Sequence, residues 1–296
     1  MTDEPKQYKT AEAFRTALET RLQARAHEDR TDLQRLRRQV AFDRLLARLF
    51  PRAGKERYPW ILKGGYAMEL RIRLARTTKD LDFTLHDGSR LSKDSGERRE
   101  QMRAMLQEAA SAELTDQFQF LIGEAMENLD GAPEGGSRFP IEARMGGREF
   151  TRFHADIGIG DEVLDPVEVV EGRDWLEFCG IAPPSVPIIS REQQFAEKLH
   201  AYSLPRGKRM NTRTKDLIDM VLLIQQGKLD DGRLLAAVTA TFAKRGTHAV
   251  PRKLEEPPAE WRPIFEALAG ECGLAMSLTA GFASVQDWFT GIGKRG

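Results

Sequence analysis

Cysteine is nearly absent from this 296-residue chain, with Cys179 and Cys272 the only two. That excludes a disulfide scaffold and any Cys-rich zinc or iron–sulfur centre, and it points to a reducing, cytoplasmic setting. Net charge is absent too: 45 basic residues face 45 acidic ones. A uniformly basic coat for nucleic acid is thereby excluded, but a local basic patch is not. No apolar run approaches the ~18 residues of a membrane helix. The opening residues MTDEPKQYKT have no signal-peptide core, so no membrane partner is expected. Internal repeats and long low-complexity tracts are also missing. The remaining composition is ordinary and globular, 41% hydrophobic with 25 glycines, in a chain long enough for one large domain or two modest ones.

Residues 10–50 are predicted to be helical, because Leu33, Leu36, Val40, Leu45, Leu46 and Leu49 recur at near-helical spacing. An apolar run at Trp60, Ile61 and Leu62 breaks at Gly64-Gly65, and Tyr66 to Leu74 reads as helix. Residues 79–85 alternate as a strand, with Leu81, Phe83 and Leu85 on one face and Asp80, Asp82 and Thr84 on the other. Residues 89–112 read as a charged helix, and 131–137 as a loop. A second strand covers 152–160, with His154 and Asp156 opposite Phe153, Ala155, Ile157 and Ile159; 167–170 reads as a further strand. The prolines of 181–187 forbid a helix and mark a domain boundary. Beyond them the pattern is helical. Ser190 to Gln193 has capping-box spacing, and Thr214 is expected to cap the helix that carries Asp216 and Asp219.

Two features carry chemistry. Residues two apart on a strand project from the same face, so Asp80 and Asp82 meet at one point in space. They either face solvent or share a divalent cation such as Mg²⁺, which takes one or two carboxylates plus substrate phosphates. Asp156 has the same inward–outward pattern on its own strand, and on a neighbouring strand it would make a third carboxylate, enough for two metals. The second feature is Lys63-Gly64-Gly65, between a strand-like run and a helix. It is either a tight turn or a place where the backbone and a helix N-terminus meet a phosphate. It lacks Walker spacing.

The order of these features resembles the nucleotidyltransferase signature of the polymerase-β-like superfamily: a glycine turn, a helix with Arg71, then Arg76-Thr77-Thr78-Lys79-Asp80-Leu81-Asp82. Within that superfamily it is most similar to the AbiEii/AbiGii and MenT toxins of bacterial toxin–antitoxin systems. Asp156 to Asp161 (DIGIGD), Lys198 in FAEKLHA and Lys215-Asp216 in RTKDLIDM match their later motifs. The likeness spans about residues 60–225. It departs at the turn, where Gly-Gly-Tyr stands in place of Gly-Ser, so backbone amides and Lys63 would have to replace the serine hydroxyl.

The resemblance implies an α+β fold. A polymerase-β-like core with a small mixed sheet would occupy residues 1–182, and a helical C-terminal domain at 188–296 would complete the cleft. It implies transfer of a nucleotide from an NTP, supported by Mg²⁺ (or Mn²⁺) on Asp80, Asp82 and Asp156. Lys63, Gly64, Gly65, Arg71, Arg76 and Lys198 would bind the NTP, with Asp216, or alternatively Asp219, as the partner of Lys198. The acceptor would be RNA, in particular the 3′ end of tRNA, and the protein partner a cognate antitoxin; a monomer is favoured. The acid-free run Arg206, Lys208, Arg209, Arg213 is the expected RNA contact. Thr78, two residues before Asp80, is the candidate phosphosite. Two other readings stay open: a small-molecule nucleotidyltransferase that uses the same acids, and a binding protein that has kept the fold without the chemistry.

Overall fold

The computed structural model describes residues 7–51, 58–129, 131–226 and 229–295. In chain order the elements are α1 (Ala11–Glu28), α2 (Leu33–Leu49), β1 (Trp60–Lys63), α3 (Gly64–Arg71), β2 (Asp80–Leu85), α4 (Ser95–Ala110), β3 (Phe118–Ile122), β4 (Glu127–Asn128), β5 (Gly136–Met145), β6 (Arg148–Ile159), β7 (Glu168–Glu171), β8 (Ser185–Ile188), α5 (Arg191–Ser203), α6 (Thr214–Gln226), α7 (Asp231–Arg245), α8 (Arg262–Glu271) and α9 (Leu278–Arg295). They form two compact units. One comprises Met1–Leu62, Thr77–Gly160 and Val169–Ile188; the other comprises Lys63–Arg76, Asp161–Glu168 and Ile189–Gly296.

The first unit is built on a mixed sheet in the order β3-β5-β6-β2-β1-β8-β7, with β4 beside β5. β2 runs parallel to β6, whereas β5 runs antiparallel to both β6 and β3. Leu81, Phe83 and Leu85 of β2 are buried, as are Phe153, Ala155, Ile157 and Ile159 of β6. The alternation read from the sequence is therefore the alternation of core and surface. Phe42 of α2 meets Phe153 edge-to-face at 4.8 Å, seating the helix on this apolar face. The sheet also includes β3 and β5, for which the sequence reading had no strand.

The predicted helix over 10–50 is two helices. Asp32 breaks it by accepting a hydrogen bond from the Arg35 amide at 2.7 Å, which caps a new N-terminus. The first of the two, α1, buries Phe14, Leu18 and Leu22. Its Arg15 donates to the carbonyls of Met145 (3.1 Å), Arg148 (3.2 Å) and Glu149 (2.8 Å), tying down the β5–β6 turn. In α2, Arg44 and Arg48 grip the buried Asp116 at 2.6 and 2.7 Å. Burial alone would raise the Asp116 pKa, but the two guanidiniums hold it below the usual carboxylate range.

The second unit is helical. Its core gathers Met68 of α3 and Ile72 just past its end, Phe195 and Leu199 of α5, Leu217 and Val221 of α6, and Phe265 of α8. Ser190 caps α5 by accepting from the Gln193 amide at 3.1 Å, as its spacing indicated. Thr214 is not the cap of α6. It lies in the first turn, and the carbonyl of Arg213 receives the Asp216 and Leu217 amides at 3.0 and 3.2 Å. Among the described residues no helix is long and apolar enough to cross a membrane.

Candidate active site

In the first unit the carboxylates gather on one patch of sheet. Asp80 pairs in register with His154, and Asp82 with Asp156. On the other side of β6, Arg138 of β5 is the register partner of Asp156. Arg138 forks onto Asp156, with Nε 2.8 Å from Oδ1 and Nη2 2.7 Å from Oδ2, and its Nη2 lies 3.9 Å from Asp80. His154 Nδ1 is 3.1 Å from Asp80 Oδ1. His154, Asp80, Arg138 and Asp156 are thus linked in a chain of contacts, and Asp82 stands beside them on β2. Arg138 was missed in the sequence because Pro140 interrupts what would otherwise be a readable strand. The alternation of Phe139, Ile141, Ala143 and Met145 with other residues was the available signal.

The donor chemistry suits a hard cation. Asp80 and Asp82 offer oxygen ligands from one strand face, the number Mg²⁺ commonly takes from protein when phosphates supply the rest. Both oxygens of Asp156 are occupied by Arg138. Among the described residues no three His, Cys, Asp or Glu side chains are arranged to hold a metal.

The cationic residues assigned to the NTP in the sequence, Lys63, Arg71, Arg76 and Lys198, lie in the second unit, each already engaged there. Gly64 opens α3 with φ +66°, a left-handed conformation that favours glycine. Gly65, next in the helix, is buried. A Gly64→Ala change is expected to cost about 1–2 kcal/mol of stability, read from the urea midpoint. The ammonium of Lys63 bonds to Asp161 and lies 3.7 Å from Glu197. Burial would lower its pKa, but these carboxylates outweigh burial and raise it. Arg245 adds a second contact to Asp161 at 2.9 Å. Neither Asp161 nor Arg245 was assigned to a site in the sequence, although Asp161 closes the DIGIGD run.

Lys198 of α5 sits 2.9 Å from Asp216 and 3.0 Å from Asp219, so both acids of α6 partner it. Arg76 forks onto Asp219 at 2.9 and 2.8 Å. This buried quartet of two cations and two anions is neutral as a group. The carboxylates raise the Lys198 pKa despite its burial, and Lys198 and Arg76 together depress that of Asp219. Arg71 bonds to Glu168 at 3.0 Å, to Gln194 and to the carbonyl of Ile189, clasping segments within the unit. Burial lowers the pKa of His200, next to Arg245, to about 4, so it is neutral at physiological pH.

In the basic loop Lys208, Arg209 and Arg213 are exposed. Arg206 is half-buried and donates to the Ala201 carbonyl at 2.8 Å. Thr78 is also half-buried, with its hydroxyl 3.4 Å from the Asp80 carbonyl.

A sequence model of the nucleotidyl transferase AbiEii toxin of type IV toxin–antitoxin systems matches residues 44–288. No curated protein matches the chain. Among solved structures, the chain is similar to MenT4, a nucleotidyltransferase toxin of Mycobacterium tuberculosis. The two share 17% identity over 83% of this chain and 75% of that one, with a TM-score of 0.53. It is also similar to JHP933 of Helicobacter pylori, at 14% identity over 88% of this chain and 97% of that one, with a TM-score of 0.43.

Proposed function

Because the chain belongs to the AbiEii family of nucleotidyltransferase toxins, we propose that it transfers a nucleoside monophosphate from an NTP to RNA, at the 3′ end of tRNA. Aminoacylation of the modified tRNA would be blocked, and a cognate antitoxin would restrain the toxin. The observation that carries the reading is the patch of carboxylates on the first unit, where the Asp82–Asp156 register pair adjoins Asp80. Asp80 and Asp82 would hold Mg²⁺, which when bound neutralises phosphate charge and orients the α-phosphate. The acceptor hydroxyl attacks the α-phosphorus, an O–P bond forms, the bond to the β-phosphate oxygen breaks, and pyrophosphate leaves. Asp156 is assigned the hydroxyl proton, taken up once Arg138 releases one of its oxygens.

Lys63 and the amides of Gly64 and Gly65 are assigned to NTP phosphate binding. Phosphate oxygens would displace the carboxylates that engage Lys63 and Lys198 in the structure. Positive charge freed from these pairs toward the phosphates would stabilise the transition state.

The test is incubation with each labelled NTP, Mg²⁺ and total RNA, followed by separation of RNA from small products. Label in tRNA is the expected result. Label appearing only in small molecules would overturn the RNA reading. The loop supplies a second measurement. Replacing Lys208, Arg209 and Arg213 together with alanine is expected to weaken RNA binding and to flatten the dependence of log affinity on log salt by up to about 2, because each lost phosphate contact removes released counterions.

A further inference from the structure

A furrow of about 670 Å³ opens on the first unit directly beside Asp80. A row of register partners crosses its floor. Asp80 of β2 faces His154 of β6, His154 faces Pro140 of β5, and the Pro140 carbonyl accepts from the Gly123 amide, just past β3, at 2.8 Å. Leu121, about half exposed, adds an open apolar surface. The rim is basic: Arg38, Lys79, Arg138 and Arg152 line the furrow against Asp80 and Glu142. Arg138 is taken by Asp156 and Arg152 by Glu142 at 3.0 Å. Arg38 differs from both, because its Nε is buried and has no hydrogen-bond partner among the described residues.

We propose that this furrow is the acceptor site and that it takes the terminal one or two nucleotides of a single-stranded RNA 3′ end. The proposal rests on the nucleotidyltransferase reading and adds where the acceptor binds. Three observations select that ligand. The volume lies within the range of small-ligand sites and is far too small for a duplex. The apolar surface at Leu121 and Pro140 can take an unstacked base, which only single-stranded RNA presents. The basic surplus at Arg38 and Lys79 attracts phosphates and repels a polycationic small molecule. One wall of the furrow is Asp80 itself, so a terminal hydroxyl held here lies beside the carboxylates assigned to the reaction.

The test uses the full-length protein and a short single-stranded RNA with 4-thiouridine at its 3′ terminal position. Irradiation followed by peptide mapping is expected to place the crosslink on peptides containing residues 118–123 or 136–145. Arg38→Gln and, separately, the surface change Leu121→Asp are each expected to weaken anisotropy-measured binding of this RNA about tenfold. The second variant guards against a folding defect in the first. Crosslinks confined to the second unit's peptides, with both variants binding normally, would overturn the furrow assignment and leave the RNA reading standing. Failure of the wild-type protein to bind or label any RNA would instead remove the RNA reading itself, and the furrow assignment with it.

Discussion

Asp80→Ala is expected to lower nucleotidyl transfer by roughly 10³-fold or more, equivalent to about 4 kcal/mol of transition-state stabilisation. The folded state should survive the change. Removing one of two like-charged neighbours relieves repulsion, but Arg138 at 3.9 Å and the His154 ring nitrogen at 3.1 Å already offset that repulsion. The two effects nearly cancel, so the melting midpoint without Mg²⁺ should move by less than the equivalent of about 0.5 kcal/mol. Growth arrest on expression should disappear together with RNA labelling. If the variant labels RNA at a near-normal rate, Asp80 does not hold the metal.

Asp219→Ala should have the largest effect on stability. Asp219 is fully buried and is the common anion of Arg76 and Lys198. Deleting it leaves a buried guanidinium and a buried ammonium to share Asp216, a loss of about 3–5 kcal/mol. For a protein of this size that lowers the melting temperature on the order of 10 °C. The pH dependence follows from the depressed pKa of Asp219, which Lys198 and Arg76 enforce against its burial. A carboxyl with a folded-state pKa below its unfolded value of about 3.9 contributes stability above that value, and the contribution is lost as pH falls through the folded pKa. In a melting series from pH 7 downward, the wild type should hold its midpoint to about pH 4 and then drop. Asp219→Asn should start lower and lose less in acid. Equal acid slopes in the two proteins would show that another carboxylate governs acid unfolding.

How much of this was legible in the sequence varied with the kind of signal. β2 and β6 were readable because their apolar residues alternate without interruption, and both acids of the Asp-x-Asp pair fall on the opposite phase. The pairing of Lys198 with Asp216 or Asp219 rested on the family resemblance, because helical spacing places each residue at the edge of an apolar stripe but cannot pair residues on two helices. β5 could not be read, because Pro140 and the flanking glycines imitate a loop. Pro140 is tolerated at this position although β5 lies between β3 and β6. The arginine that closes over Asp156 went unnoticed with the strand. The break between α1 and α2 was masked by leucines that keep the helical period on both sides, so only the capping geometry of Asp32 reveals it. Charge state was the least legible property. Lys63, Arg71, Arg76 and Lys198 read as available cations, but each folds against specific acids that lie up to 143 positions away in the chain.

The arginine of α1 that reaches three carbonyls of the β5–β6 turn has a consequence for the boundaries of the protein. The stretch by which relatives are recognised starts at residue 44, after α1 and in the middle of α2. Arg15, the apolar stripe of α1 and Arg38 all precede it. Family membership and foldability are therefore inscribed in different lengths of chain. The matched segment is recognisable without the first helix, but the sheet that presents the acids is secured in part by Arg15, which lies outside that segment.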